Sequence, residues 1–181
     1  MNHLESFNRI KDRLTLTEDN RLMLSEVPMI LTPRWFFVGI MKRVAEKAGS
    51  DIASEIYYEA AFDGAYKWAK VQMESGLKGR AVVEQYLGSM THRGWGRFEI
   101  NRFDEENGTG RFRYFHSAVA LEYGNTGNAV CLWVPGALAG GFQAVLDQSD
   151  RDVMVKGRED SCLSQGLPYC EFAVDPIVTI S

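Results

Sequence analysis

The sequence has no apolar run near the ~20 residues that a bilayer-spanning helix needs, so no membrane span is expected. It has no excess of basic charge either: 20 Lys and Arg stand against 24 Asp and Glu, for a net charge of −4. With no basic block to track phosphates, a nucleic-acid partner is not expected. A phosphate-cradling glycine loop, a dinucleotide fingerprint and a nucleophile elbow are all missing. The first residues, MNHLESFNRIKDRL, lack the apolar stretch of a secretory signal, and the cysteines number only three. An odd, small set of thiols without an export signal points to a reducing cytoplasm. No internal repeat, linker or low-complexity tract breaks the 181 residues.

What is present is ordinary globular composition, 45% hydrophobic and 24% charged, in a length suited to one domain. Residues 1–20 read as a polar N-terminal arm, with ESFNRIKDRL as a short helix or docking segment for a partner protein. Residues 21–181 read as the domain. RLMLSEVPMIL, from Arg21 to Leu31, alternates as a strand or as two short ones broken at Pro28. Thr32 and Pro33 then suit a helix start, Thr as cap and Pro in the first turn. The helix runs to Ala48 and stops at Gly49, with Phe36, Phe37, Ile40, Val44 and Ala48 as its buried face.

A second helix covers Ser50 to Glu74, with Ile52, Ile56, Ala60, Phe62, Ala65, Ala69 and Met73 in period. A third runs from Arg80 to about Met90 and ends in the Gly94-Trp95-Gly96 turn. There the period changes to two. Arg97 to Phe103 and Arg111 to Ser117 flank the turn DEENG as an antiparallel hairpin, and Val119 to Tyr123 reads as a further strand. Ala129 to Leu146 is expected to be helical despite Gly136, Gly140 and Gly141. Each costs roughly 1 kcal/mol against Ala, so the glycines should admit another backbone or a ligand. Strands at Asp152 to Gly157 and Glu171 to Val174 complete an α+β domain, an antiparallel sheet packed against several helices.

Cys131 and the pattern Glu159-x-x-Cys162-x-x-x-x-x-x-x-Cys170 gather every thiol into the last third of the chain. Three thiolates and a carboxylate can close a tetrahedron around a borderline cation, leaving no open position for chemistry. Spacing alone equally allows small buried hydrophobes or a disulfide between two of the three.

Several ordered motifs together resemble the 4-vinyl reductase domain family. They are Gly94-Trp95-Gly96 before the hairpin, Ser117 after it, Val130-Cys131 with Gly136-Ala137-Leu138-Ala139-Gly140, and Glu159-Asp160-Ser161-Cys162-Leu163-Ser164-Gln165-Gly166 with Cys170-Glu171-Phe172. The resemblance spans about residues 20 to 175. It implies a fold shared with trafficking-complex subunits and nitric-oxide-signalling ligand-binding domains, a homodimer, and a structural zinc on Cys131, Glu159, Cys162 and Cys170. It also implies a pocket for a small hydrophobic or aromatic ligand between sheet and helices, with His92, Trp95, Tyr114, Phe115 and Trp133 as its residues. The extra residues Asp147 to Arg151 lengthen a turn without moving the ligands.

Three functions follow from these readings. One is a ligand-binding sensor or carrier domain. Another is an accessory to a tetrapyrrole enzyme, since the chain offers no nicotinamide or flavin site with which to reduce a vinyl group itself. A third is an assembly subunit that docks through its N-terminal arm.

Overall fold

The computed structural model describes residues 11–24, 27–149 and 151–177. Three short strands come first: β1 (Leu14–Leu16), β2 (Leu22–Leu24) and β3 (Val27–Met29), paired antiparallel in that order. Leu14–Leu16 pairs with β2, so this stretch of the expected arm is part of a sheet. Most of the proposed arm helix lies outside the described residues. Pro28 sits within β3 opposite Met23 rather than ending a strand, and edge strands tolerate proline because they need no second ladder.

Helices α1 (Arg34–Ala48), α2 (Ser50–Glu74) and α3 (Arg80–His92) follow. Gly49, at φ +88°, separates α1 from α2, as its position after the last apolar residue foretold. Thr32 makes no capping bond; Pro33 stands at the cap position of α1 with no side-chain hydrogen bond. The buried face of α1 also differs from expectation. Val38 and Met41 are enclosed, while Phe36 and Ile40 are 52% and 45% exposed. Both sets recur at three to four residues, and only the partners of the helix decide between them.

A hairpin of β4 (Arg97–Asp104) and β5 (Thr109–Phe115) leads into α4 (Ala118–Tyr123). The segment expected as a strand at Val119 to Tyr123 is therefore helical. His116, in the left-handed region at φ +55°, turns the chain, and the Ser117 hydroxyl accepts the Ala120 amide at 3.1 Å to cap the helix. Next come α5 (Val134–Gln148), β6 (Val155–Ser161), a single 3-10 turn and β7 (Cys170–Pro176). Helix α5 starts later than expected, and β6 runs on far enough to include Glu159.

The larger sheet has the order β4-β5-β7-β6, antiparallel throughout. Helix α5 lies against its inner face and is buried from Val134 to Leu146, as a helix apolar on every side must be. Phe112, Phe142, Phe172 and Leu138 meet there, each contributing about 1.5–3 kcal/mol by leaving water. Helix α2 covers the far side of α5 through glycine. A Cβ on Gly136 would fall 2.0 Å from the Tyr58 carbonyl oxygen, and one on Gly140 would fall 2.2 Å from that of Phe62. The expectation that these glycines admit another backbone holds, and the backbone is α2. The same closeness explains why α2 buries Ala53, Ala65 and Ala69 while Ile52 and Ile56 stay exposed. Among the described residues no helix is long and apolar enough to cross a membrane.

Candidate metal centre and ligand cavity

Strand alternation carries Glu159 to the inner face of β6 with Val155 and Gly157, because successive side chains point to opposite sides. Cys170 begins β7 on that same face, opposite Tyr114 of β5. Cys131 precedes α5, and Cys162 follows β6 just after a bulge between Glu159 and Ser161. One ligand atom from each of the four residues lies within 4.8 Å of all the others.

The sulfur spacings test what the cluster can hold. A tetrahedron with metal–sulfur bonds of about 2.3 Å puts its sulfurs about 3.8 Å apart. The Cys162–Cys170, Cys131–Cys170 and Cys131–Cys162 pairs stand at 3.7, 3.8 and 4.0 Å. All three cysteines are free and buried, so the disulfide alternative is not realised.

Glu159 supplies a further sign. Its Oε2 accepts the Cys131 amide at 3.1 Å, while its buried Oε1 has no partner among the described residues. A buried carboxylate oxygen without a partner, set beside three thiols, has the position and chemistry of a cation ligand. Donors surround the sulfurs as well: the Leu163 amide to Cys170 at 3.3 Å, the Ser164 hydroxyl to Cys162 at 3.2 Å, and the Ser117 hydroxyl beside Cys131 at 3.2 Å. Such donors offset thiolate charge and orient the ligands.

Without a cation the charges cannot all coexist. Burial first, then the neighbouring Cys162, pushes the Glu159 carboxyl up to about 9. Hydrogen bonds to Cys162 and Cys170, helped by burial, raise the Cys131 thiol. Hydrogen bonds from Cys131 and Cys170, joined by one from Ser164, lower the Cys162 thiol instead. A divalent cation would let all four ionise. The set fits a closed site that ties the start of α5 to β6 and β7.

A cavity of about 730 Å³ opens elsewhere, between the small sheet, α1 and the end of α3. Leu24, Met29, Phe37, Val38 and Trp95 form its apolar walls, and Arg34, Thr91, His92 and Arg93 its polar ones. The Gly94-Trp95-Gly96 turn builds one wall. Gly94 and Gly96 both take positive φ, and a Cβ on Gly96 would meet the Tyr114 ring at 2.5 Å. The Trp95 carbonyl accepts both the Ala118 amide, at 2.8 Å, and the Tyr114 hydroxyl. Held so, the Trp95 ring meets Phe37 edge-on at 5.1 Å.

Of the five residues expected around the ligand, His92 and Trp95 line this cavity and three do not. Tyr114 is fully buried one layer behind, its ring stacked on Phe98 at 4.1 Å. Trp133 backs Trp95 at 4.9 Å, also in the core. Phe115 faces the outer side of the sheet, against Tyr169 and under the Arg97 guanidinium. Alternation on β5 explains the split between Tyr114 and Phe115, which cannot share a face. The reading from sequence missed the walls supplied by β2, β3 and α1. Arg34, Phe37 and Val38 carry no motif, and only the packing of the small sheet over α1 brings them to the cavity.

The family described as a domain of unknown function (DUF5943) matches residues 15–101. No curated protein matches the sequence. Among solved structures, the phenol-responsive sensory domain of the transcription activator PoxR, crystallised with phenol, superposes with a TM-score of 0.76. It is 20% identical, with 96% of this chain and 89% of that one covered. A vinyl-4-reductase family protein from Methanocaldococcus jannaschii gives 0.55 at 16% identity, covering 97% and 92%. Trafficking protein particle complex subunit 3 from Naegleria fowleri, covalently bound to palmitic acid, gives 0.52 at 8% identity, covering 82% and 97%. An H-NOX protein from S. oneidensis, in an Fe(II)NO state, gives 0.51 at 13% identity, covering 97% and 90%. At these identities what is shared is the fold, an antiparallel sheet with helices packed on it. The chain has the fold of the vinyl-4-reductase and phenol-sensing domains.

Proposed function

We propose that this protein is a small-molecule binding module, a sensor or carrier whose ligand occupies the cavity beside Trp95. The zinc ion that we assign to Cys131, Glu159, Cys162 and Cys170 is structural. The observation that carries the reading is the cavity itself: about 730 Å³, mostly apolar, with a few polar groups converging at the end of α3. Volumes of about 300–1,000 Å³ with such a lining are typical of ligand sites. The neighbours named above include proteins that hold phenol, palmitic acid and nitric oxide, so this fold accommodates small molecules.

Zinc is the cation that the donor set favours, since three thiolates select a soft or borderline metal and the sulfur spacings fit its bond length. When bound, it supplies a cross-link rather than a reactive centre. The four residues would fill its shell, which leaves signalling or delivery to the cavity.

A thermal-shift screen of the zinc-loaded protein against phenols, small amines and a tetrapyrrole tests the reading. A compound that raises the midpoint in the wild type and loses its effect in His92→Ala and Trp95→Ala supports it. Ligands that bind equally well to both variants would place the site elsewhere.

A further inference from the structure

We infer that the cavity selects apolar ligands that carry a carboxylate, received at the end of α3 by Arg93. The inference rests on reading the cavity as a ligand site. Its titratable walls are Arg34, His92 and Arg93, and no acidic side chain lines it among the described residues. The two arginines differ in what they already hold. Arg34 Nε lies 3.3 Å from the Glu122 carboxylate, so its charge is compensated.

Among the described residues the Arg93 guanidinium finds only neutral acceptors, the Ser89 carbonyl at 3.2 Å and the Met90 sulfur. No carboxylate lies within ion-pair reach of it among the described residues. It is half-withdrawn from water, and burial lowers its pKa despite the opposing effect of Tyr86. A partly desolvated guanidinium with unused donors is matched by a carboxylate, whose two oxygens accept in parallel. The apolar body of such a ligand would rest on Phe37, Val38 and Trp95. A neutral ligand leaves the charge unmatched, and an amine is repelled by it.

Calorimetric titration with 2-naphthoate and with 2-naphthamide tests this, because the two share a shape and differ in charge. The wild type should bind the acid at least about tenfold more tightly, the scale of one charge-assisted hydrogen bond. Arg93→Gln should bring the two within about twofold, chiefly by weakening the acid, and Arg93→Lys should retain part of the preference. Should Arg93→Gln fail to fold, the ionic-strength dependence of the wild type serves: naphthoate binding should weaken with salt and naphthamide binding should not. Equal affinities in the wild type, a preference that survives Arg93→Gln, or no binding of either compound overturns the inference. In the first two cases the cavity still binds and the reading beneath it stands. In the third, the neutral phenols of the wider screen decide whether that reading falls too.

Discussion

The sulfur of Cys131 lies 3.8 Å from that of Cys170 although 39 residues separate them along the chain. Cys131 comes from the lead-in to α5 and Cys170 from the start of β7, so helix and sheet meet at this contact. A cation held there would join the two layers of the domain.

Metal analysis of protein purified without chelator should find about one zinc per chain, by the four-ligand logic of a closed site. Cys162→Ala should abolish that zinc and lower the thermal midpoint sharply, because the binding energy of a structural metal is folding energy, on the order of 10 kcal/mol in small zinc domains. Metal-free wild-type protein with an unchanged midpoint would contradict the assignment.

In protein stripped of metal, Glu159 makes stability depend on pH. Its folded-state value is raised from 4.5 to about 9. The folded carboxyl keeps its proton while the unfolded one loses it. The contribution is therefore fully present below about pH 4.5 and is lost as pH rises towards 9. Cys162, lowered by hydrogen bonds from Cys131 and Cys170, acts in the opposite sense, so the informative quantity is a difference. Thermal midpoints of metal-free wild type and Glu159→Gln, measured between pH 5 and 9, should diverge, with the wild type losing ground as pH rises. Parallel profiles would remove Glu159 from the cluster's proton balance.

Gly136→Ala should destabilise by about 3 kcal/mol or more, since the new methyl meets the backbone of α2, which has no rotamer to move aside. Gly141, in the same helix, has open space at its Cβ position. Gly141→Ala should be neutral or should stabilise by up to about 1 kcal/mol through helix propensity. Chemical denaturation of the two variants checks the pair. Equal effects would mean that general helix loosening, rather than the contact with Tyr58, governs the site.

Trp35, Phe36 and Ile40 form an exposed apolar stripe along α1, flanked by Arg43 and Lys47. We expect this stripe to be the face on which two copies pair. Sedimentation should then show a dimer in the wild type and a folded monomer in Trp35→Asp. A dimer that persists in Trp35→Asp would assign the pairing to another surface.

Local signals were legible in the sequence. The stop at Gly49, the extent of α2 from Ser50 to Glu74 and the hairpin around DEENG follow from glycine, period and turn chemistry, which act within a few residues. The cysteine–glutamate set was legible too, because it falls in one ordered pattern, although the sequence left a metal, a disulfide and plain burial open. Which face of α1 is buried, whether Val119 to Tyr123 is helix or strand, and where Tyr114 and Phe115 point relative to the cavity all depend on what packs against them. The tertiary structure alone decided these. It settled the sulfur spacing against a disulfide, placed His92 and Trp95 on the cavity with Arg34, Phe37 and Val38, and sent Phe115 to the outer face. Hydrophobic pattern sets which residues are able to be buried, whereas the partner surface sets which of them are.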